Sequence, residues 1–136
     1  MAKTPNSAIT PQTPKSWTAQ NNNTAYTGTL TAPTGSGLVT LATGSLDGDR
    51  ITSLKLTPFQ ANATAVRVDL WRKVGASFFP INSVVLPVVS LGAAKLEPVD
   101  FGFSENNPLF LNSGDQLVLG AAGVASFVAD AQGASY

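Results

Sequence analysis

The chain has 136 residues, 43% of them hydrophobic and 12% charged, with eight basic and eight acidic side chains and a formal net charge of zero. That length suits one domain, with enough apolar material for a core that needs no metal or disulfide. Cysteine and histidine are absent, which excludes disulfides, thiol or imidazole catalysis and the ordinary zinc site. The scattered basic residues also exclude the Lys/Arg clustering that nucleic-acid binding requires.

Residues 1–23 read as a separate N-terminal segment. Pro5, Pro11 and Pro14 interrupt regular pairing, Asn21, Asn22 and Asn23 follow, and Ile9 and Trp17 are its apolar anchors. Alone, such a stretch cannot offset its ordering entropy. It is expected either as a disordered tail or as an extended arm that orders against a neighbouring subunit through Trp17. The opening residues hold no apolar run fit for an export signal, and residues 84–89, the longest apolar stretch, are too short to span a bilayer. The expectation is a protein made and used without export or membrane insertion.

From residue 24 the signals are those of β-strands. Residues 24–31, with Tyr26, Thr27, Thr29 and Leu30, form a candidate strand that ends before Pro33. Turns at 35–37 and 44–48 precede candidate strands at 38–41 and 51–56. In 65–73, Val66, Val68 and Leu70 alternate with Arg67, Asp69 and Trp71, the period of a strand with one buried and one exposed face. Arg67 and Asp69 should then form a surface charge pair. Trp71, on the polar face, is open to two readings: covered by a further sheet or loop, or exposed at an interface.

Gly75 turns the chain into Phe78 and Phe79, which must point in opposite directions if extended, with Phe79 the candidate for exposure. Residues 83–91 form a Val-rich run that Pro87 restricts to an edge strand or a bulge. Residues 95–107 are irregular and hold Glu97, Asp100 and Glu105. A short strand at 109–111 and a turn at 112–115 follow, and 116–119 and 124–129 are expected to close the pattern as a hairpin about 120–123. The reading is an all-β chain: a single antiparallel β-sandwich (jelly-roll-like) or barrel over residues 24–136, with the extended arm before it.

Carboxylates are the remaining candidates for chemistry. Asp47 and Asp49 sit in a turn where Asp ordinarily bonds its own backbone, and a Ca²⁺ site would need more oxygen ligands than the neighbours supply. A hydrolase using Asp100 and Glu105 would need the two to face each other across a cleft, and their spacing fits no motif. No catalytic, cofactor-binding or metal-binding residue is assigned, and an enzyme is not expected. The candidates for partner contact are aromatic: Trp17, Tyr26, Trp71 and Phe79. With charge at about half the usual share, the surface is suited to broad contact with other protein subunits.

One ordered set of motifs extends through residues 38–136. Asp47-Gly48-Asp49-Arg50-Ile51 precedes an apolar strand, Val66-Arg67-Val68-Asp69-Leu70 follows, and then comes the Val-rich segment 84–89. Leu109-Phe110-Leu111 leads through Gly114-Asp115-Gln116-Leu117 to a last strand and an aromatic terminus at Tyr136. In this order the chain resembles small bacteriophage head decoration, or cement, proteins, although Asn112-Ser113-Gly114 departs from their usual Leu-Pro-x-Gly. The resemblance implies a structural virion protein on the capsid surface, made in the host cytoplasm. Its implied partner is the major capsid protein, whose subunits it bridges as a homo-oligomer, trimer favoured, without a cofactor. The alternative is a receptor- or glycan-binding module of a tail or fibre, with exposed Trp71 or Tyr26 stacking on sugar rings.

Overall fold

A computed structural model describes residues 13–90 and 96–136. Its strands are β1 (Thr13–Asn21), β2 (Thr27–Thr29), β3 (Ala32–Thr34), β4 (Leu38–Thr43), β5 (Asp49–Pro58), β6 (Val66–Val74), β7 (Ser77–Leu86), β8 (Val99–Asp100), β9 (Leu109–Leu111), β10 (Gln116–Ala121) and β11 (Phe127–Ser135), with no helix among the described residues. One sheet has the order β1-β11-β5-β8, with β9 pairing further along β5; the other has the order β4-β10-β6-β7. All pairings within these two sheets are antiparallel. Apart from the β6–β7 hairpin and the broken β8/β9 edge, each successive strand of the two sheets crosses to the opposite one. That is the strand order of a jelly roll. The arrangement is an open sandwich, not a barrel. The β2–β3 hairpin is an insertion between β1 and β4.

The alternation in β6 sets the second sheet as expected: Val66, Val68 and Leu70 are buried and join Leu117 and Leu119 of β10 in the core. The first sheet supplies Ile51, Leu54, Leu56, Phe127, Ala129 and Ala131. Burying each large aliphatic side chain contributes about 1.5–3 kcal/mol. Ile51 and Leu54 are an odd number apart and would point to opposite faces in a regular strand. A register shift resolves this: Ser53 pairs with Gln132 and Ile51 with Gly133, leaving Thr52 as the extra residue of a β-bulge. Gly133 is required there, because a Cβ would lie 1.8 Å from the Arg50 carbonyl oxygen.

Three expectations need correction. Residues 13–21, read as part of the arm, are β1, paired along their length with β11. Trp17 is in the core, with Ala19 packed against it. Pro14 is tolerated because β1 is the edge of its sheet. The strand gains its partner from 106–122 residues away in sequence, an interaction no local pattern displays. Residues 1–12, the rest of the expected arm, lie outside the described residues.

The hairpin about 120–123 does not form either. β10 is held between β4 and β6 and β11 between β1 and β5, so the intervening residues carry the chain from one sheet to the other. Both strands have two neighbours already, leaving no edge by which to pair with each other. Finally, 24–31 is not one strand: β2 turns at Leu30 and Thr31 into β3, which contains Pro33 opposite Gly28.

Other expectations hold. β6 and β7 form a hairpin at Gly75, whose φ of 61° suits a tight two-residue turn. β7 is an edge strand and ends just before Pro87. The turn at 112–115 closes with the Asp115 N–H donating to Asn112 O at 3.1 Å.

Candidate functional site

The outer face of the second sheet is covered. Asp69 and Trp71 point outward from β6, opposite Gly120 and Val118 of β10. Because Gly120 has no side chain, other groups pack closely over it. A Cβ there would meet Tyr26 Cδ1 at 2.9 Å and Leu38 Cδ2 and Trp71 Cζ3 at 3.0 Å. Tyr26 packs edge-on against Trp71 with ring centroids 4.9 Å apart, Phe78 packs on Trp71 at 6.4 Å, and Trp71 Nε1 donates to the Leu30 carbonyl at 2.7 Å. The residues of the β2–β3 insertion thus cover a second apolar cluster.

A polar triad fixes this cover. Tyr26 Oη donates to Asp69 Oδ2 at 2.7 Å, and Arg67 Nε donates to Asp69 Oδ1 at 2.8 Å. The expected Arg67–Asp69 pair is present, but Asp69 is only 3% exposed and the pair lies partly beneath the cover. Burial, then the hydrogen bond to the Asp69 carboxylate, pushes the Tyr26 phenol pKa above its ordinary value, against a smaller lowering influence from Arg67.

These contacts place the aromatic candidates. Trp71 is fully buried, Trp17 is 9% exposed in the core, and Tyr26 is half-buried with its hydroxyl engaged. Phe79 is the exposed one, at 52%. Tyr26 and Trp71 come together; Trp17 and Phe79 belong to opposite sheets. The residues not anticipated lie near Phe79: Ile81 and Val85 of β7, and Val88 just beyond it, are also exposed. Apolar side chains therefore protrude along an edge strand whose outer side pairs with no strand among the described residues. Pro80, which lacks an N–H, sits within it as edge strands permit. The sign available in the sequence was the density of large apolar residues around two prolines.

The outer face of the first sheet is open and polar. A groove of about 350 Å³ is lined by Arg50, Thr52, Glu105, Gln132, Gly133 and Ala134. A second, of about 320 Å³, is lined by Pro14, Lys15, Ser16, Gln132 and Gly133. The two adjoin at Gln132 and Gly133 and together make up a trough across β1, β11 and β5. Arg50 Nη2 donates to the Glu105 carbonyl at 2.7 Å and lies 3.4 Å from its carboxylate. Arg50 Nε is buried and has no acceptor among the described residues. Phe110 pairs opposite Arg50 across the β5–β9 ladder and is half exposed, with Tyr136 6.3 Å from its ring.

The carboxylates considered for chemistry have structural partners. Asp100 Oδ1 accepts from the Gly102 N–H at 2.8 Å, and Glu105 pairs with Arg50. Asp49 is buried and accepts from Ser45 N (2.9 Å), Ser45 Oγ (2.8 Å) and Ser135 Oγ (2.6 Å), with Lys15 Nζ at 3.7 Å. Burial alone would raise its pKa and is the largest single influence. The hydrogen bonds from Ser135 and Ser45, together with the Lys15 charge, outweigh it and hold the carboxyl below its ordinary value. Asp49 thereby joins the start of β5 to the end of β11. Comparison with known protein families, with characterised proteins and with solved structures finds no match to this chain.

Proposed function

We propose that this chain is a structural assembly protein: a bacteriophage capsid decoration, or cement, protein that attaches to the outside of the head and bridges subunits of the major capsid protein. The observation that carries the reading is the exposed apolar edge at β7, with Phe79, Ile81, Val85 and Val88 unburied in the isolated chain. An edge strand of that kind is a template for another chain, by strand addition or by burial of its side chains. The low charge of the sequence and its motif order, similar to that of decoration proteins, support the same reading. Attachment proceeds by bridging: each protomer contacts more than one capsid subunit, a homo-oligomer (trimer favoured) multiplies those contacts, and the combined avidity exceeds that of any one contact. The site of action is the virion surface, reached after synthesis in the host cytoplasm.

The test is sedimentation of the purified protein with assembled heads, with and without the Phe79→Asp and Val85→Asp pair of substitutions. Wild-type protein is expected to co-sediment and protect heads against heat, and the variant to lose about tenfold or more in affinity. Failure of the wild type to bind any head, or undiminished binding by the variant, overturns the reading. A chain lacking residues 1–12 separately tests the arm, since β1 belongs to the fold and must be retained.

A further inference from the structure

We propose that the trough across β1, β11 and β5 is a binding site for a neutral oligosaccharide, with Arg50, Thr52, Gln132 and Ser16 as its hydrogen-bonding residues and Phe110 as a stacking platform. The inference goes beyond the assembly reading and concerns the other sheet. It also replaces the expectation that Trp71 or Tyr26 stacks on sugars, because Trp71 is buried and Tyr26 is committed to Asp69.

The shape comes first. The two grooves adjoin at Gln132 and Gly133 and lie open along a sheet face. Sites for compact apolar ligands are concave and lined mainly by hydrophobic side chains; a shallow polar trough suits a short polymer lying along it. The β-bulge at Thr52 shapes the trough, since bulges bend a strand and redirect its side chains. Gly133 is part of its lining and contributes no side chain to obstruct it.

The donor and acceptor set comes next. A sugar hydroxyl both donates and accepts, so it requires a lining that does both. The Gln132 amide and the Ser16 hydroxyl supply both functions, Thr52, whose hydroxyl donates to the Gln132 carbonyl at 3.4 Å, and the Glu105 carboxylate supply acceptors, and Arg50 supplies donors. The Arg50 Nε–H, buried and without an acceptor among the described residues, is a donor that a ligand hydroxyl satisfies only once the side chain moves. Charge selects against a polyanion: Arg50 faces Glu105 at 3.4 Å and Lys15 faces Asp49 at 3.7 Å, so the cations of the trough are already opposed. Phe110, half exposed beside Arg50 and supported by Tyr136, offers an aromatic surface to the C–H face of a pyranose ring.

The experiment is titration of the isotope-labelled full chain with neutral oligosaccharides derived from amylose, cellulose and mannan, and with oligogalacturonate as the acidic comparator. At least one neutral sugar is expected to give saturable amide shifts centred on Thr52, Phe110, Gln132 and Gly133. Phe110→Ala and Gln132→Ala, both at exposed positions, are each expected to weaken it about tenfold or more with unchanged melting. Phe79→Asp should leave sugar binding as it is, which separates this site from the assembly surface. The proposal is overturned by no shift with any neutral sugar, by shifts centred elsewhere, or by wild-type affinity in both trough variants. Tighter binding of oligogalacturonate overturns the neutral assignment.

Discussion

The two outer faces of the sandwich have opposite fates. On the second sheet, Asp69 and Trp71 point outward and are covered by Tyr26 and the β2–β3 insertion; on the first, Arg50, Thr52 and Gln132 point outward and line an open trough. Both faces come from the same two-residue alternation, so the strands alone do not decide the difference. An outward indole beside Gly120 presents apolar surface that a cover removes from water. Outward amides and hydroxyls are satisfied by water and gain nothing from a cover. A sandwich can thus carry an additional small core on one face and keep the other for binding.

Substitutions separate the two faces by size of effect. Trp71→Ala removes a fully buried ring from beneath the cover and is expected to cost about 3–5 kcal/mol in urea unfolding. Tyr26→Phe deletes a donor to a buried carboxylate and is expected to cost about 1.5–3 kcal/mol at neutral pH. The sign of its pH dependence follows from the raised phenol pKa. The contribution is complete below the ordinary tyrosine value of 10.0 and is lost as pH rises through the higher folded value. A urea midpoint for Tyr26→Phe that matches wild type at pH 7 would remove the triad as the fastening of the cover.

Asp49, at one end of the open sheet, behaves in the opposite sense. Its folded pKa is depressed, so its contribution is complete above the ordinary value of 3.8 and is lost as pH falls through the lower folded value. Acid unfolding curves of wild type and Asp49→Asn are expected to converge in that range, with wild type the more stable at neutral pH. The smallest stability effects belong to exposed positions. Gln132→Ala, and Phe79→Asp with Val85→Asp, are each expected within about 0.5 kcal/mol of wild type, whatever they do to binding. A trough variant as damaging as Trp71→Ala would end the contrast between the faces.

The sequence displays what depends on near neighbours. The alternation of β6, the Gly75 hairpin, the turn at 112–115 and the β9 segment were all legible because each is encoded within a few residues. β1 was hidden by Pro14 and the asparagines, although Trp17 and Ala19, at one strand period, face the core together. What closes over Trp71 was not legible, because the carbonyl that receives its indole N–H belongs to Leu30, 41 residues earlier. The apparent β10–β11 hairpin failed for the same reason: two apolar segments in sequence order do not reveal that each already lies between two distant strands. The trough has no linear signature at all, since Ser16, Thr52 and Gln132 meet only through pairing.

The position of β11 bears on how the chain is made. It lies between β1 and β5, so until it is present β1 has no ladder to join and β5 has one bare flank. Its residues leave the ribosome after those of every other described strand. The first sheet can therefore close only once β11 has emerged, by closing a loop of more than a hundred residues, a slow class of folding event. During that wait, β5 and the Trp17 segment are exposed together, and nascent chains in this state are the ones most in need of chaperone protection.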